Sequence, residues 1–575
     1  MNRSINGSIH RTLALGALVV LVGPVAAVGV EQGDVVELNG VTAKAQWWRR
    51  PEGFYIEESW FEGVLGGELL SSERVEQQRV KWYSSPFFVG TRHDRPVRFR
   101  YFNLQPLLES WAPTVRGKVL RLTTPAVAVT ALRRSPQPWG DRLALDLSGP
   151  APWQLSREGN TVTLVVGAEG SAGLGEGAGI GKLVETLAVQ TRSRQTQLRL
   201  GVKPEAVVQV ATLADPPRLI VDVRSEVVAN DREIAWAEGL RYREQTVTTG
   251  TGRAFPSQTL EINLRQPGLK LRPLWNRTTG MVGTMTLPLL ADRNGVAAAL
   301  NGGFFNVNRQ LPVGPVRFEG RWLAGPVLER GAIAWNDEGQ VAIERLRYQE
   351  EIVVGERVVP LAELNSGYVR AGIARYTRDW GTVYRPLTDN ETIVTVQPQN
   401  GALRIGARQA GGAAGTRAFA IPPNGYLLVA RNAGEALAVL TEGAAVQGTA
   451  RTVPPVFSEL PYGLGGGPLL LKEGQTVLDT NREGFRPPFD RQGAPRSVVA
   501  TTVNGTLLLT AIGGTPTLLE TIEVLRQLGA HNALNLDGGG SSTLYLGGRV
   551  RNRRQLRPIH NALGIVLAPP PLESF

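Results

Sequence analysis

Apolar and polar residues alternate with a period of two through most of the first 230 positions, which predicts strands and not helices. Leu143-Ala144-Leu145-Asp146-Leu147 reads as a half-buried strand, and ~55 residues later Leu198-Arg199-Leu200-Gly201-Val202 repeats the pattern. Thr161 to Val166 pairs in the same way with Arg218 to Val223, and Trp153-Gln154-Leu155 with Val208-Gln209-Val210. The offset predicts two copies of one small β-unit, separated by a flexible Gly/Ala-rich linker from Gly167 to Gly181. Before them lies a β-rich unit holding Trp47, Trp48, Trp60 and Trp82; packing in its own core is the favoured reading of these rings over stacking on sugars.

From about residue 255 glycine becomes dense and a helical period appears once. Leu518, Ile522, Leu525 and Leu528 form one apolar stripe, with Thr515 as N-cap, Pro516 in the first turn and Gly529 as the stop. Short apolar runs, Val296 to Leu300 and Ala533 to Leu536, each end in a glycine cluster. Ala494 to Ala500 and Leu507 to Ile512, joined through Asn504-Gly505, predict a hairpin. The expected fold class is multidomain, an α+β C-terminal domain of catalytic type preceded by mainly β modules. The expected boundaries are 1–27 (signal peptide), 31–115 (β-rich unit), 119–168 and 182–228 (β modules) and 255–567 (C-terminal domain).

The N-terminus changes the picture of location. Arg3, His10 and Arg11, the apolar run Leu13 to Val22 and the small residues Pro24-Val25-Ala26-Ala27 follow the three-part pattern of a secretory signal peptide. The run is too short to span a bilayer well, so no transmembrane segment is expected after cleavage. The expected location is the periplasm or the extracellular cell envelope. The absence of cysteine removes disulfides and thiolate metal sites. The formal charge of +11 favours an anionic partner, but an exported chain with dispersed arginines is a poor nucleic-acid binder. The dense run Arg549 to Arg554 reads as a solvated loop.

Candidate chemistry gathers at three clusters, Asn301-Gly302-Gly303-Phe304, Gly465-Gly466-Gly467-Pro468 and Asp537-Gly538-Gly539-Gly540-Ser541-Ser542-Thr543. Successive glycines are useful where a ligand must approach the backbone, and their N–H groups can form a concave anion site. The hydroxyls of Ser541, Ser542 and Thr543 add polar contacts, and Asp537 supplies a carboxylate. Arg496, at the start of the hairpin, suits a two-pronged grip on phosphate.

These pieces, in this order and spacing, make the C-terminal half similar to the phosphodiester glycosidase family. Asn301 to Phe305, Gly314-Pro315-Val316, the Ala371 to Gly381 segment, Gly465 to Pro468, Pro495-Arg496-Ser497, Leu534 to Thr543 and Asn561-Ala562-Leu563-Gly564 carry the resemblance. It implies hydrolysis of a sugar from a sugar-1-phosphodiester, N-acetylglucosamine-like or a related envelope glycan, to give free sugar and a phosphate monoester. It also implies a pocket with Asp537, Arg496 and Asn301 as catalytic residues. Gly302, Gly303, Phe304, Gly466, Gly538, Gly539, Ser541, Ser542 and Thr543 would bind substrate. The β modules, through Arg142 to Gly149, resemble the AMIN module of cell-envelope proteins, which implies peptidoglycan as a partner.

A phosphate leaving group needs little acid assistance, so one essential carboxylate suffices, with Asp537 as base for water or as nucleophile. Asp490, Glu319 and Glu329 are unranked candidates for a second. No acidic cluster has the spacing of a calcium loop; no cofactor is called for and a structural divalent cation is not indicated. His10, His93, His531 and His560 lack partners at metal-ligand spacing, which argues against a zinc amidase. The rival function is a non-catalytic protein that binds envelope glycan or peptidoglycan.

Overall fold

The computed structural model describes residues 31–93, 98–171, 173–174, 181–225, 231–277, 280–552 and 557–568. The segment read as a signal peptide and most of the linker read between the repeats lie outside the described residues. No helix among the described residues is long and apolar enough to cross a membrane.

Glu31 to Leu122 supply a twisted nine-stranded sheet. Val119–Leu122 joins it by pairing in parallel with Glu31–Leu38, so this strand belongs to the first unit and not to the β module that follows. Trp47, Trp60 and Trp82 are buried in its core, and Trp48 is half-buried.

The repeat is present, but its two copies are interleaved. The first contributes β1 (Ala128–Gln137), β2 (Gly140–Leu147), β3 (Trp153–Glu158) and β4 (Thr161–Val166). The second contributes β5 (Val184–Arg192), β6 (Gln195–Val202), β7 (Val207–Leu213) and β8 (Arg218–Arg224). β2 pairs antiparallel with β8, and β4 with β6. Each sheet of the resulting sandwich therefore contains strands of both copies, and Leu143, Leu145, Val162, Leu164, Leu198, Leu200, Leu219 and Val221 fill one shared core. Neither copy closes a sheet alone, which corrects the division into modules at 119–168 and 182–228. A short two-sided unit exposes one apolar face, and the other copy covers it.

The C-terminal domain is mostly β, and two of its several sheets frame the candidate site. In the first, β9 (Arg232–Ala237), β10 (Leu240–Thr248) and β11 (Ala254–Ile262) continue through β16 (Leu507–Ile512), β15 (Arg496–Thr502), β17 (Ala530–Asn535) and β14 (Leu469–Lys472). The domain thus begins at 232, ahead of the expected 255, because β9 and β10 complete its sheet edge. In the second, β12 (Leu269–Trp275), β19 (Asn561–Leu567), β13 (Ala298–Asn301) and β18 (Leu544–Leu546) lie side by side. The hairpin β15–β16 has its expected register, with Gly505 at φ 81° in the turn. Helix α1 (Leu287–Asn294) packs beside β13, and α2 (Leu518–Gln527) buries Leu518, Ile522 and Leu525 against β15 and β16. The cap of α2 is Thr517, not Thr515: Thr517 Oγ1 accepts from Glu520 N and Glu520 bonds back to Thr517 N, a reciprocal capping box. The α+β character expected of this domain reduces to these short helices on extensive sheets.

Candidate active site

These two sheets of the C-terminal domain meet where β13 and β17 end and β15 begins. A polar seam joins them. Asn301, the last residue of β13, donates from Nδ2 to the Asp537 carbonyl at 2.6 Å. Its Oδ1 accepts from Ser497 Oγ at 2.6 Å and from Thr543 N at 3.0 Å. Ser497 Oγ lies 2.9 Å from Ser542 Oγ, which donates to the Arg496 carbonyl at 3.1 Å. Asn301, Ser497, Ser542 and Thr543 are all buried. In a dry seam each polar atom needs a partner, and this network supplies them. The catalytic role expected of Asn301 and the substrate contact expected of Ser542 are thereby corrected: both side chains are committed internally and act as a pin that sets the position of Asp537.

The glycines serve the same seam. A Cβ on Gly302 would sit 2.1 Å from Asn561 Oδ1, one on Gly303 2.2 Å from the Gly465 carbonyl, and one on Gly466 2.5 Å from the Asn535 carbonyl. Gly302 N donates to the Asn561 carbonyl, Gly303 N to Asn561 Oδ1, Gly466 N to the Gly331 carbonyl and Gly539 N to the Pro495 carbonyl. The expected concave anion site of free N–H groups is therefore absent at these positions; close sheet packing is what excludes a side chain. Asn561 is itself fixed by His560, whose Nε2 contacts the Met281 carbonyl at 2.8 Å and whose Nδ1 lies 3.2 Å from Asn561 Nδ2. Burial pushes the His560 imidazole down to about 4, so the ring is neutral and structural.

Asp537 stands at the mouth of this seam, half-buried, with its backbone N–H on the Gly302 carbonyl at 2.9 Å. Desolvation pushes its carboxyl up to about 6; Ser541, Arg557 and the Gly538 N–H each oppose the rise. Ser541 Oγ is buried beside it without a well-aligned hydrogen bond among the described residues. A half-buried carboxyl with a value near neutrality is suited to proton transfer.

The cation closest to Asp537 in effect is Arg557, which the sequence reading missed. Its guanidinium lies 5.7 Å from the centre of the Phe305 ring, and its Cδ would be 3.0 Å from a Cβ on Gly540. Arg496 is nearby, its Cδ 3.8 Å from a Cβ on Gly538. It is buried, with Nε on the Pro516 carbonyl at 3.2 Å and Nη2 on the Gln492 carbonyl. Desolvation pushes it down to about 10. Two of its five N–H donors are thus spent on backbone, and Nη1 carries no bond to the described residues. Phe304 packs at 5.5 Å from Phe485 and 6.3 Å from Phe489, and Arg330 lies 4.2 Å over Phe485. Phe485, Phe489 and Arg330 gave no signal in the sequence, because nothing in their local pattern distinguishes them from core and loop residues.

Of the candidate second carboxylates, Glu329 pairs with Arg347 at 3.5 Å and Asp490 with its neighbour Arg491 at 3.7 Å. Glu319 feels Arg277. Glu483, buried behind Phe485, accepts from Gly331 N, Leu469 N and Arg345 Nε within 3.0 Å and is fully occupied. No cluster of three His, Asp or Glu able to hold a metal is found among the described residues.

The run Arg549 to Arg554, read as a solvated loop, is corrected where it is described. Arg551 is buried, donating from Nη2 to Glu58 Oε1 and from Nη1 to Glu62 Oε2, both at 2.6 Å, and Arg549 approaches Glu62 at 4.0 Å. Asn552, next in the chain, accepts from Leu544 N at 2.8 Å and donates to the Ser542 carbonyl at 3.1 Å.

A family model described as phosphodiester glycosidase matches residues 390–566. That span includes Gly466, Arg496 and Asp537, whereas Asn301 to Phe304 lie outside it. The crystal structure of a hypothetical protein from Synechocystis is similar over 93% of this chain and 99% of that one, at 34% identity and a TM-score of 0.84. A putative exported protein from Burkholderia pseudomallei is 16% identical over 77% of this chain and 100% of its own, with a TM-score of 0.46. The zebrafish N-acetylglucosamine-1-phosphodiester alpha-N-acetylglucosaminidase catalytic domain, auto-inhibited by its pro-peptide, is 13% identical over 63% of this chain and 88% of its own, with a TM-score of 0.31. No curated protein matches the chain.

Proposed function

The chain belongs to the same family as the Synechocystis protein and carries a phosphodiester glycosidase domain over 390–566, and from this we propose that it is an exported hydrolase that removes a sugar from a sugar-1-phosphodiester. The observation that carries the reading is Asp537, a half-buried carboxyl raised to about 6 at the mouth of a seam that fixes it, with the Arg557 guanidinium beside it, in no ion pair among the described residues.

Asp537 acts as base. It takes a proton from water as the water oxygen attacks the anomeric carbon, and the phosphate monoester departs with the electron pair of the broken C–O bond. The monoester is a stable anion, so donors that hold its growing charge replace a protonating acid. Arg557 and Nη1 of Arg496 are those donors. Ser541 Oγ orients the carboxylate. Direct attack by water on the sugar gives inversion of the anomeric centre. Export follows from the N-terminal segment, and the interleaved sandwich, through its AMIN-like pattern, holds the enzyme at peptidoglycan.

The test is phosphate-monoester release from an N-acetylglucosamine α-1-phosphodiester by the full chain. Asp537→Asn keeps the shape and removes the base; a loss of roughly 100- to 10,000-fold in kcat is expected. Turnover by that variant at the wild-type rate refutes the assignment, and proton NMR of the first-formed anomer separates a base from a nucleophile.

A further inference from the structure

Three guanidiniums follow one another from Asp537 along the Phe304, Phe485 and Phe489 rings, and none forms an ion pair with a carboxylate among the described residues. Arg557 lies on one side, over Phe305 at 5.7 Å. Arg496 lies on the other, its carbon 5.9 Å from the Phe489 ring, and Arg330 follows, 4.2 Å over Phe485 and 5.6 Å from Phe304. Arg330 donates from Nε to the Glu483 carbonyl at 3.1 Å, and neither of its terminal nitrogens bonds to another of the described residues. The rings between them form one surface: Phe485 and Phe489 stack at 4.7 Å with 19° between their planes, and Phe304 closes against both.

Asp537 is the one carboxylate set against Arg557, so three guanidiniums leave an excess of positive charge, and for the buried Arg496 and half-buried Arg330 that excess is unfavourable unless a ligand brings the charge. A simple phosphodiester brings one negative charge, which Arg557 with Nη1 of Arg496 is enough to meet. Arg330 then remains. The geometry points to a sugar linked through a diphosphate as the substrate class, with the sugar-side phosphate between Arg557 and Arg496 and the second phosphate on Arg330. The half-buried faces of Phe304 and Phe489 lie under the group beyond it, a planar base or an apolar chain. This rests on the hydrolase reading and narrows it. The reaction balances as before: water forms the bond to the anomeric carbon, its proton goes to Asp537, and the sugar-side C–O bond breaks with its electron pair on the departing organic diphosphate.

The experiment compares three substrates with the full chain by phosphorus NMR: a methyl N-acetylglucosamine α-1-phosphodiester, a nucleoside diphosphate N-acetylglucosamine and a short-chain prenyl diphosphate N-acetylglucosamine. A charge-assisted contact supports roughly a 10- to 100-fold preference in kcat/KM for at least one diphosphate-linked sugar, and which one identifies the leaving group. Arg330→Gln is expected to lower the diphosphate-to-monophosphate ratio about tenfold. Calorimetry on the Asp537→Asn protein, with a nucleoside 5′-diphosphate against the 5′-monophosphate, reads binding without turnover, and near-ultraviolet circular dichroism checks that Arg330→Gln keeps its fold. Equal rates on all three substrates, with no binding preference for the diphosphate, overturn the diphosphate site and leave the hydrolase. No hydrolysis of any substrate, with a binding preference that Arg330→Gln abolishes, keeps the diphosphate site and overturns the hydrolase. If Arg330→Gln misfolds, Arg330→Lys serves as the second variant: it keeps the charge and loses the planar fork, and a smaller fall in the same ratio is expected.

Discussion

Arg551→Met tests how the N-terminal sheet is fastened to the catalytic-type domain. Arg551 is the only arginine among the described residues in contact with both Glu58 and Glu62 within 2.6 Å. Glu58 has further support, accepting from Arg100 Nε at 2.6 Å and from Trp236 Nε1 at 3.0 Å. Glu62 has little, since Arg549 stands off at 4.0 Å. The surrounding arginines overcome burial and hold the Glu62 carboxyl at about 2, down from 4.5. At 1.36 kcal/mol per pH unit that difference is about 3 kcal/mol, present above pH 4.5 and lost as pH falls through 2. The range for breaking a buried ion pair, about 3–5 kcal/mol, agrees in size. Urea unfolding of the full chain, followed by tryptophan fluorescence, is expected to show a loss of about 3 kcal/mol in Arg551→Met at pH 7. Glu62→Gln in the same background is expected to recover part of it, because the stranded charge is gone. Effects of the two single variants that add to within about 0.5 kcal/mol of the double variant would refute the coupling and, with it, the view that this ion cluster fastens the two units.

The acid limb of kcat/KM is expected near pH 6, the value of Asp537, with activity rising as the base ionises; Arg557→Gln removes a charge that favours the carboxylate, and the limb moves to higher pH. A limb unchanged in Arg557→Gln would separate the two groups. Glu363, buried against Arg431 with Glu391 on the same guanidinium, has its carboxyl raised from 4.5 to about 7, chiefly by desolvation. Its native state holds the proton, so stability is full below pH 4.5 and falls by up to about 3 kcal/mol as pH rises through 7; Glu363→Gln is expected to flatten that slope in thermal unfolding. Gly302→Ala puts a methyl 2.1 Å from Asn561 Oδ1, and a loss of about 2–4 kcal/mol with collapse of turnover is expected, measured by calorimetric unfolding and product release.

Strands, the hairpin and the helix were legible because their side chains obey a period of two or of 3.6, and burial reads that period directly. What the repeat did not reveal is which copy pairs with which. Leu143 and Leu198 present the same local pattern, so β2 satisfies its edge equally well with a strand of either copy, and only the closed sandwich decides. Asp537 was legible as a carboxylate at a strand end. The role of Asn301 was not: an amide at that place can face a ligand or the protein, and the Ser497 and Thr543 contacts that decide it come from 196 and 242 residues away. Arg557 was hidden because it follows a basic run with which it shares composition but not environment; Arg551 is buried in a charge cluster and Arg557 is exposed at the pocket.

That basic run also bears on what a working unit of this protein contains. The segment after β18 serves two masters within a few residues: Asn552 ties the Ser542 carbonyl and Leu544 N, and Arg551 ties Glu58 and Glu62 on the helical segment Glu58 to Leu65 of the N-terminal unit. Trp236 on β9, a strand of the catalytic-type sheet, donates to the same Glu58. Removing the first unit would leave Arg551 as an unpaired buried cation and the Trp236 N–H without its acceptor, two groups short of partners beside β18, which follows Ser542. A fragment that begins at 255 would in addition lack β9 and β10 and open the edge of the sheet that holds Arg496. The N-terminal sheet is therefore part of the frame that positions the pocket, and activity is expected to reside in the chain that retains it.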